Sequence, residues 1–329
     1  MSHLTLVLPF ALPPAEHARD LIAQLRAPVM ARLLSHAAPG QRKISPAFDA
    51  CLPHERWLAG HTQDTSPALG RALMQALGLG TQAGCWFIAQ PVHLHVARDH
   101  LVLTDYRQLI LTDAESRALF AAAEPVFAEQ GQQLVYGNAR FWFLRADHWA
   151  GLRTSTPDAA CGHNIDVWQP GGDMARAWRR MQNEVQMLWH QHAVNEARDR
   201  DGQSRVNGLW LWGGSGGSEG PDCSEGARLL AAQLAQPDTD RCREPASGGI
   251  RLSDALVPFA LADDWSDWLR HMAALDEECL APSLKQLSEG NIDRITLVLS
   301  DSSRLHAWTV TRASMRKFWV TSSLSRLLS

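Results

Sequence analysis

The sequence has no strong excess of charge of either sign and no long apolar run. Its 31 basic and 35 acidic residues give a net charge of −4, and no basic cluster of the kind that lines nucleic-acid grooves is present. No stretch approaches the roughly 18 apolar residues that a membrane-spanning helix needs. We therefore expect no nucleic-acid partner, no membrane partner and a location in the cytoplasm.

Histidine and cysteine groups with metal-binding spacing are also missing. The six cysteines are scattered without a Cys-x-x-Cys pair, so we interpret them as reduced, mostly buried thiols. His190 and His192 are two positions apart and would lie on different faces of a helix, and no third ligand accompanies His93 and His95. The sequence predicts neither a metal site nor a cofactor.

Tyrosine is scarce, with two residues, whereas tryptophan occurs thirteen times. Large aromatic side chains either fill a core or anchor an interface. We expect most tryptophans in the core. A tryptophan-rich surface that binds another protein stays open as an alternative.

Apolar periodicity predicts an α/β fold. Residues 4–8 are typical of a buried strand, and residues 15–34 repeat apolar side chains at helical spacing. Residues 39–67 are predicted as a surface loop, because they are rich in Pro, His and polar side chains. Hairpins are predicted at residues 85–103 and 134–144, on either side of a helix that Asp113 caps.

A turn-rich stretch, residues 154–172, is the predicted linker between an N-terminal half (1–153) and a C-terminal half (173–329). In the second half, residues 206–212 and 295–300 are the clearest buried strands. The whole pattern predicts a mixed central sheet flanked by helices, with antiparallel hairpins in the N-terminal half.

Glycines follow the strand at residues 206–212, and a capped helix follows them in turn. A strand, a glycine loop and a helix in this order can bind phosphate through main-chain N–H groups. The spacing matches neither G-x-G-x-x-G nor G-x-x-x-x-G-K, however, and Glu219 and Asp222 would repel an anion. A flexible surface connection is the competing interpretation.

Two further positions have the geometry of site residues. His192, Asn195 and Arg198 are spaced by three, which keeps them near one face if the helix continues. The alternative is a solvated helix end, with Gly202 as the residue after the C-cap. Asp301 follows the strand at residues 295–300, where α/β sheets place active-site acids, although such acids also cap turns.

The segment HAVNEARDRDGQSRVNGLWLWGGSG resembles a stretch of the archaeal-type, cofactor-independent phosphoglycerate mutases. That stretch reads H-P-V-N-x-x-R, then P-A-N, an apolar strand and R-G-x-G. In this chain Ala193 replaces the proline and Trp212 replaces the arginine before Gly213. The retained residues are His192, Val194, Asn195, Arg198 and Asn207.

The mutases belong to the alkaline phosphatase superfamily, so the resemblance implies two metal ions and a Ser or Thr nucleophile. The residues for that chemistry are missing. Pro9 stands where an Asp-Gly is expected, Trp265 stands where a histidine should follow Asp264, and Ser302 replaces the histidine after Asp301. The resemblance leaves as candidate ligand-binding residues His192, Asn195, Arg198, Asn207, Trp212, Gly213, Gly214 and Asp301.

Over its full length, with WLWGG near the middle, the chain resembles the bacterial RpfE-type regulatory proteins. The two resemblances, with the missing metal and nucleophile residues, imply a pseudoenzyme on a degenerate alkaline-phosphatase/phosphoglycerate-mutase-like fold, which regulates or binds a protein partner or a small phosphorylated metabolite. The alternative is an enzyme for phosphorylated metabolites, of the phosphomutase or phosphatase type. Its chemistry would use His192, Asn195, Arg198, Asn207 and Asp301.

Overall fold

The computed structural model describes residues 2–60, 65–80, 83–214, 224–236 and 248–328. The helices within these ranges are, in chain order, α1 (Ala18–Gln24), α2 (Pro28–His36), α3 (Pro53–Ala59), α4 (Gly70–Ala76), α5 (Asp113–Ala128), α6 (Pro157–Ala160), α7 (Ala175–His190), α8 (Ala193–Arg200), α9 (Glu225–Ala235), α10 (Val257–Leu261), α11 (Trp265–Leu275) and α12 (Ala281–Glu289). A π-helical turn, Asp276–Leu280, joins α11 to α12.

The strands within the same ranges are β1 (His3–Leu8), β2 (Ala38–Ile44), β3 (Trp86–Val92), β4 (Leu94–Val96), β5 (Leu101–Leu103), β6 (Gln133–Tyr136), β7 (Trp142–Arg145), β8 (Gly208–Trp212), β9 (Gly249–Leu252), β10 (Arg294–Ser300) and β11 (Arg304–Thr311). They form sheets of five, four and two strands.

The chain divides into two compact units. The first contains Met1–Ala47, Leu52–Trp57 and Gln236–Ser329, and the second contains Phe48–Cys51 and Leu58–Ala235. The first unit is therefore assembled from segments far apart in sequence. Residues 154–172, for which we predict a linker, lie inside the second unit, where they include α6.

The first unit contains the mixed five-stranded sheet, in the order β2-β11-β10-β1-β9. β1 runs parallel to β10 and β9, whereas β11 is antiparallel to β10 and β2. β1 and β10 lie at the centre because their apolar runs, LTLVL and ITLVL, supply side chains to both faces. α2 packs against β11 and α12 against β10, so the predicted mixed sheet with flanking helices is confirmed.

The second unit contains an antiparallel sheet in the order β6-β7-β3-β8 and the separate pair β4-β5. The predicted strand at residues 206–212 is β8, which is buried along its length. It pairs antiparallel with β3, with Trp212 opposite Ile88. The glycine segment after β8 therefore does not follow a strand of a parallel sheet.

Two expectations for the N-terminal region are wrong. The helix predicted over residues 15–34 is two helices, because Pro28 lacks the N–H that would continue α1 and instead begins α2. The surface loop predicted at residues 39–67 contains β2 and α3. All seven residues of β2 are exposed, so it shows no apolar alternation.

The tryptophans form core rather than surface. Ten of the thirteen are buried, Trp57 and Trp265 are half-buried, and Trp319 is mostly exposed. The buried set is Trp86, Trp142, Trp149, Trp168, Trp178, Trp189, Trp210, Trp212, Trp268 and Trp308. The alternative of a tryptophan-rich binding surface is thus wrong, since large apolar rings gain more from burial than from exposure.

The described cysteines are buried, and none of them forms a disulfide bond within the described residues. Burial, together with the nearby Asp147 carboxylate, raises the pKa of Cys85 to about 12. Burial, with Asp105 and Asp158, likewise raises the pKa of Cys161 to about 12. Both thiols stay protonated near neutral pH and have little nucleophilic character. Cys223 and Cys242 lie outside the described residues.

Candidate functional site

His192 is the N-cap of a helix and not a residue within one. α7 ends at His190 and α8 begins at Ala193, so the helix does not continue through the predicted face. The imidazole Nδ1 of His192 accepts a hydrogen bond from the main-chain N–H of Val194 at 3.2 Å. Accepting at Nδ1 places the ring proton of a neutral His192 on Nε2. Gly202 follows the C-cap of α8 in the left-handed region, as predicted.

Asn195 is buried, with 1% of its surface exposed. Its amide nitrogen donates to the carbonyl oxygens of Trp189 at 2.9 Å and Val206 at 2.8 Å. Its amide oxygen accepts from the Val206 N–H at 2.9 Å. The side chain is fully used in joining the end of α7 to the approach to β8. The prediction of a solvated helix end is therefore wrong at this position.

Arg198 is also buried, with 2% exposed. Its Nε donates to the Ser204 carbonyl at 2.7 Å, and its Nη1 donates to the Ile110 carbonyl and to Glu115 Oε1. Burial alone would raise the pKa of Glu115, but hydrogen bonds from Thr112 and Arg198 outweigh burial and lower it. The guanidinium thus fixes loop geometry and pairs with a carboxylate of the same unit.

The side chains of Asn207 and Trp212 also hold parts of the second unit together. The Asn207 side chain accepts from Leu94 N–H at 2.7 Å and donates to Leu94 C=O at 2.9 Å, as a neighbouring strand would. Trp212 is 2% exposed and donates from Nε1 to Gln90 Oε1 at 3.1 Å. Trp212 therefore fills core space where the mutase pattern has a cation.

The two described glycines after β8 are packed into the second unit. The Gly213 N–H donates to Ser66 Oγ at 2.9 Å, and the Gly213 carbonyl accepts from the N–H groups of Leu69 and Gly70. A Cβ at Gly214 would collide with the Phe87 ring. The Gly213 N–H is thus already bonded and does not bind an anion. The rest of the predicted loop, Glu219 and Asp222 included, lies outside the described residues.

His93 and His95 have different surroundings. His93 lies between β3 and β4 and contacts the Arg205 carbonyl through Nδ1, whereas His95 is an exposed residue of β4. Within the described ranges, no three His, Cys, Asp or Glu side chains are grouped so that they could bind one metal ion.

Asp301 belongs to the first unit, unlike the other predicted residues. Its Oδ1 accepts from the N–H groups of Ser303 and Arg304, and its Oδ2 accepts from Arg304 Nε at 2.7 Å. Arg304 also donates to the Pro13 carbonyl at 2.9 Å. The carboxylate of Asp301 therefore closes the turn between β10 and β11, and Arg304, which it holds, joins that turn to the segment after β1.

The carboxyl ends of β1, β9 and β10 meet at one edge, where ligands bind in open α/β sheets. Ser300 Oγ lies 3.4 Å from His54 Nδ1. The Phe10 ring packs against His54, and Phe10 adopts a left-handed φ of 57°. A hydrogen bond from Trp268 Nε1 to the Phe10 carbonyl holds that conformation. This edge is the candidate functional site of the first unit.

The Ser300 and His54 pair has the composition of a nucleophile and a base, but its geometry is that of a core contact. Ser300 is 1% and His54 is 5% exposed, and the separation exceeds the reach of about 2.6–3.2 Å usual for such pairs. Nearby, burial together with Arg42 and Arg304 lowers the pKa of His306. The imidazole of His306 is therefore neutral at neutral pH.

A dinuclear metal centre does not fit the residues at this edge. Pro9 and Phe10 follow β1, Ser253 follows β9, and the Asp301 carboxylate is paired with Arg304. Two metal ions need several carboxylate and imidazole ligands each. The described residues at the edge do not supply that set, so no step is assigned to a metal here.

His54, Ser253 and Ser300 lie at this edge and are not among the residues predicted from the sequence. His54 lies in α3, within residues predicted as loop, and it meets Ser300 from 246 positions away. Ser300 could have been predicted as a site residue, because it ends a buried strand and directly precedes Asp301. Ser253 had no comparable signal, because β9 is only four residues long.

No family model matches the chain, and no curated protein matches it. Among solved structures, the chain is similar to the PH0037 protein from Pyrococcus horikoshii, with a TM-score of 0.52 and 11% identity over 94% of this chain and 87% of that chain. It is also similar to a cofactor-independent phosphoglycerate mutase from Thermoplasma acidophilum, with a TM-score of 0.42 and 14% identity over 99% and 94% of the two chains. The first likeness concerns the fold alone, and the second is too loose to support an argument.

Proposed function

We propose that this protein is a non-catalytic binding or regulatory protein, built on a degenerate phosphoglycerate-mutase-like fold and related to the RpfE-type regulatory proteins. One observation carries the proposal. The residues that give the sequence its mutase resemblance are used to hold the fold: Asn195, Arg198 and Asn207 bind main-chain groups, and His192 caps α8. Side chains engaged in this way are not directed at a substrate.

The composition of the sheet edge supports the same proposal. Phosphoryl transfer needs positive charge, usually from metal ions, where the transferred group sits. At the carboxyl ends of β1, β9 and β10, the one carboxylate described above, Asp301, is already paired with Arg304. A cytoplasmic location belongs to the proposal, and among the described residues no helix is long and apolar enough to cross a membrane.

The decisive experiment combines metal analysis with turnover. The purified full chain is incubated with manganese or zinc, desalted, analysed for bound metal and assayed with 3-phosphoglycerate and p-nitrophenyl phosphate. We expect no stoichiometric metal and no turnover. About two equivalents of metal per chain, with turnover that Asp301→Asn removes and Asp293→Asn retains, would establish the phosphomutase or phosphatase alternative instead.

A thermal-shift screen tests the binding side of the proposal. Phosphoglycerates, sugar phosphates and nucleotides are compared in this screen without metal. In a separate experiment, native extract is passed over the immobilised chain to capture a protein partner. A ligand that binds only the folded state raises the unfolding temperature, and the rise increases with the ratio of free ligand concentration to Kd. Failure of every ligand and every partner to bind would contradict the proposed role.

A further inference from the structure

The first unit contains a cavity of about 270 Å³ between α2, α12 and the turn after β11. Its walls are largely apolar and include Val29, Leu284 and Met315. At roughly 30 Å³ for each water-sized group, the cavity holds about nine such groups. This size is close to the lower limit of small-molecule sites, which are typically apolar with a few polar groups.

Three cations line the same cavity: Arg32 from α2, Lys285 from α12, and Arg312 directly after β11. Lys285 Nζ lies 3.9 Å from Glu289 Oε1 in an exposed pair, which water weakens. Within the part of the chain that the structure describes, no carboxylate pairs with Arg32 or Arg312. The cavity therefore has exposed cationic side chains beside an apolar wall, and its two arginines have no carboxylate partner among the described residues.

Arg312 lies close to the end of α12. Gly290 ends this helix with a φ of 85°, and a Cβ at Gly290 would lie 2.6 Å from Arg312 Nη1. The positive φ at Gly290 favours glycine, and the guanidinium of Arg312 lies against it. A cation at a helix C-terminus is also favoured by the helix dipole. The guanidinium thus lies beside the C-terminus of α12 and lines the cavity.

We infer that this cavity binds a small amphipathic anion, with an apolar body of ring size that carries one carboxylate or phosphate group. The apolar walls bury the body, and the arginines bind the anionic group, because a guanidinium matches the geometry of carboxylate and phosphate oxygens. This inference rests on the proposed function, since it identifies the ligand site that a non-catalytic protein of this fold uses.

The test is a ligand-observed NMR titration of the full chain with four probes. Phenyl phosphate and benzoate combine a ring with an anion, inorganic phosphate has the charge alone, and benzyl alcohol has the ring alone. Phenyl phosphate or benzoate binds saturably, and which of the two binds more tightly identifies the anionic group. The single-feature probes bind about tenfold more weakly, because each lacks one half of the contact.

Two variants address the two halves of the site. Arg312→Gln removes an anion contact, and Ala281→Leu fills space at the wall without changing charge. Each weakens binding of the amphipathic probe by about tenfold or more. Arg316→Gln is the matched control, since it removes the same charge four residues further on, outside the lining, and changes binding less than about twofold. Thermal unfolding confirms that each variant is folded.

The inference is overturned if no amphipathic probe binds saturably, or if all three variants bind it as the unmodified chain does. Turnover of 3-phosphoglycerate with manganese, measured on the same preparation, separates the two proposals. Turnover overturns the non-catalytic role whatever the cavity binds. Absence of both turnover and probe binding overturns only the inference that the cavity binds an amphipathic anion.

Discussion

Asn195 places both ends of its amide in hydrogen bonds with the main chain, and this makes it a residue on which the second unit depends. Asn195→Ala leaves the N–H and C=O of Val206 without their buried partner. We expect the free energy of unfolding to fall by about 2–4 kcal/mol. Urea unfolding followed by tryptophan fluorescence measures the loss.

Glu196→Ala is the control for that variant, because Glu196 is the next residue of α8 and is exposed. We expect it to change stability by less than about 0.5 kcal/mol. Equal, small effects of both variants would show that the Asn195 network is not structural, and would favour its use in binding a ligand.

Glu115 makes the free energy of unfolding depend on pH in the acidic range. Its side chain accepts from Thr112 in the capping box of α5 and from Arg198, and these bonds lower its pKa against the opposing effect of burial. Because the pKa of Glu115 is lower in the folded than in the unfolded state, its contribution to the free energy of unfolding is complete above the unfolded pKa of about 4.3. That contribution is lost as the pH falls through the folded pKa.

Glu115→Gln should therefore flatten the decline of stability below about pH 4.5 relative to the unmodified chain. Urea unfolding at steps between pH 7 and pH 3 measures both curves. Glu124→Gln, an exposed position of the same helix, serves as the reference and should leave the decline unchanged. Parallel curves for the chain and Glu115→Gln would show that the pKa of Glu115 is not lowered on folding.

At the scale of elements, α2 is capped from a distant part of the sequence. The residue before it, Ala27, has no side-chain acceptor, and the Asp276 carboxylate accepts from the N–H groups of Val29 at 3.0 Å and Met30 at 2.6 Å. Burial raises the pKa of Asp276 against the effect of these two bonds. The π-helical turn before α12 is the element that presents this carboxylate.

Asp276→Ala should lower the free energy of unfolding by about 1–3 kcal/mol, because two buried N–H groups lose their acceptor. Asp276→Asn keeps one acceptor oxygen, so its free energy of unfolding should lie between those of the unmodified chain and Asp276→Ala. The exposed neighbour Glu277 provides the control Glu277→Ala, with little change expected. Denaturant midpoints at neutral pH measure all three. No loss in Asp276→Ala would mean that water caps α2 equally well.

Elements with a periodic apolar pattern could be predicted from sequence, and those fixed by distant contacts could not. β1 and β10 have near-continuous apolar runs, which identify buried strands wherever their partners lie. β2 is an edge strand with no buried side chain, so its sequence contains no alternation to detect. His54 and Asp276 gain their roles from partners about 246 positions away, which no local pattern contains.

The same reasoning explains the outcome for the site. The spacing of His192, Asn195 and Arg198 predicted a shared face, but it gave no information on whether that face meets solvent, substrate or the approach to β8. Burial and hydrogen-bond partners decide that question, and both depend on the packing of the second unit.

At the scale of the whole molecule, the second unit has a core of its own. Aromatic side chains from β3, β7 and α7, including Trp142, Trp178 and Trp189, lie together in it. We therefore expect a fragment of residues 48–235 to fold alone, with a near-ultraviolet circular dichroism signal from fixed tryptophans and cooperative urea unfolding.

Trp178→Ala within the same fragment should abolish cooperative unfolding, because removal of a large buried ring costs about 3–5 kcal/mol. Cys161→Ala tests a smaller deletion in the same fragment and should leave it folded. A parent fragment that shows secondary structure without a tryptophan near-ultraviolet signal would contradict the prediction and make the second unit dependent on the rest of the chain.

The pairing of β1 with β9 and β10 sets an order of events during synthesis. β1 is synthesised well before its partners, which begin at Gly249 and Arg294. At about 5–20 residues per second, the apolar strand LTLVL remains without its neighbours for roughly 15 to 60 seconds. Every newly made chain therefore passes through an interval in which both hydrogen-bonding edges of β1 are unpaired, and we expect a chaperone that binds residues 3–8 to raise the yield of folded protein.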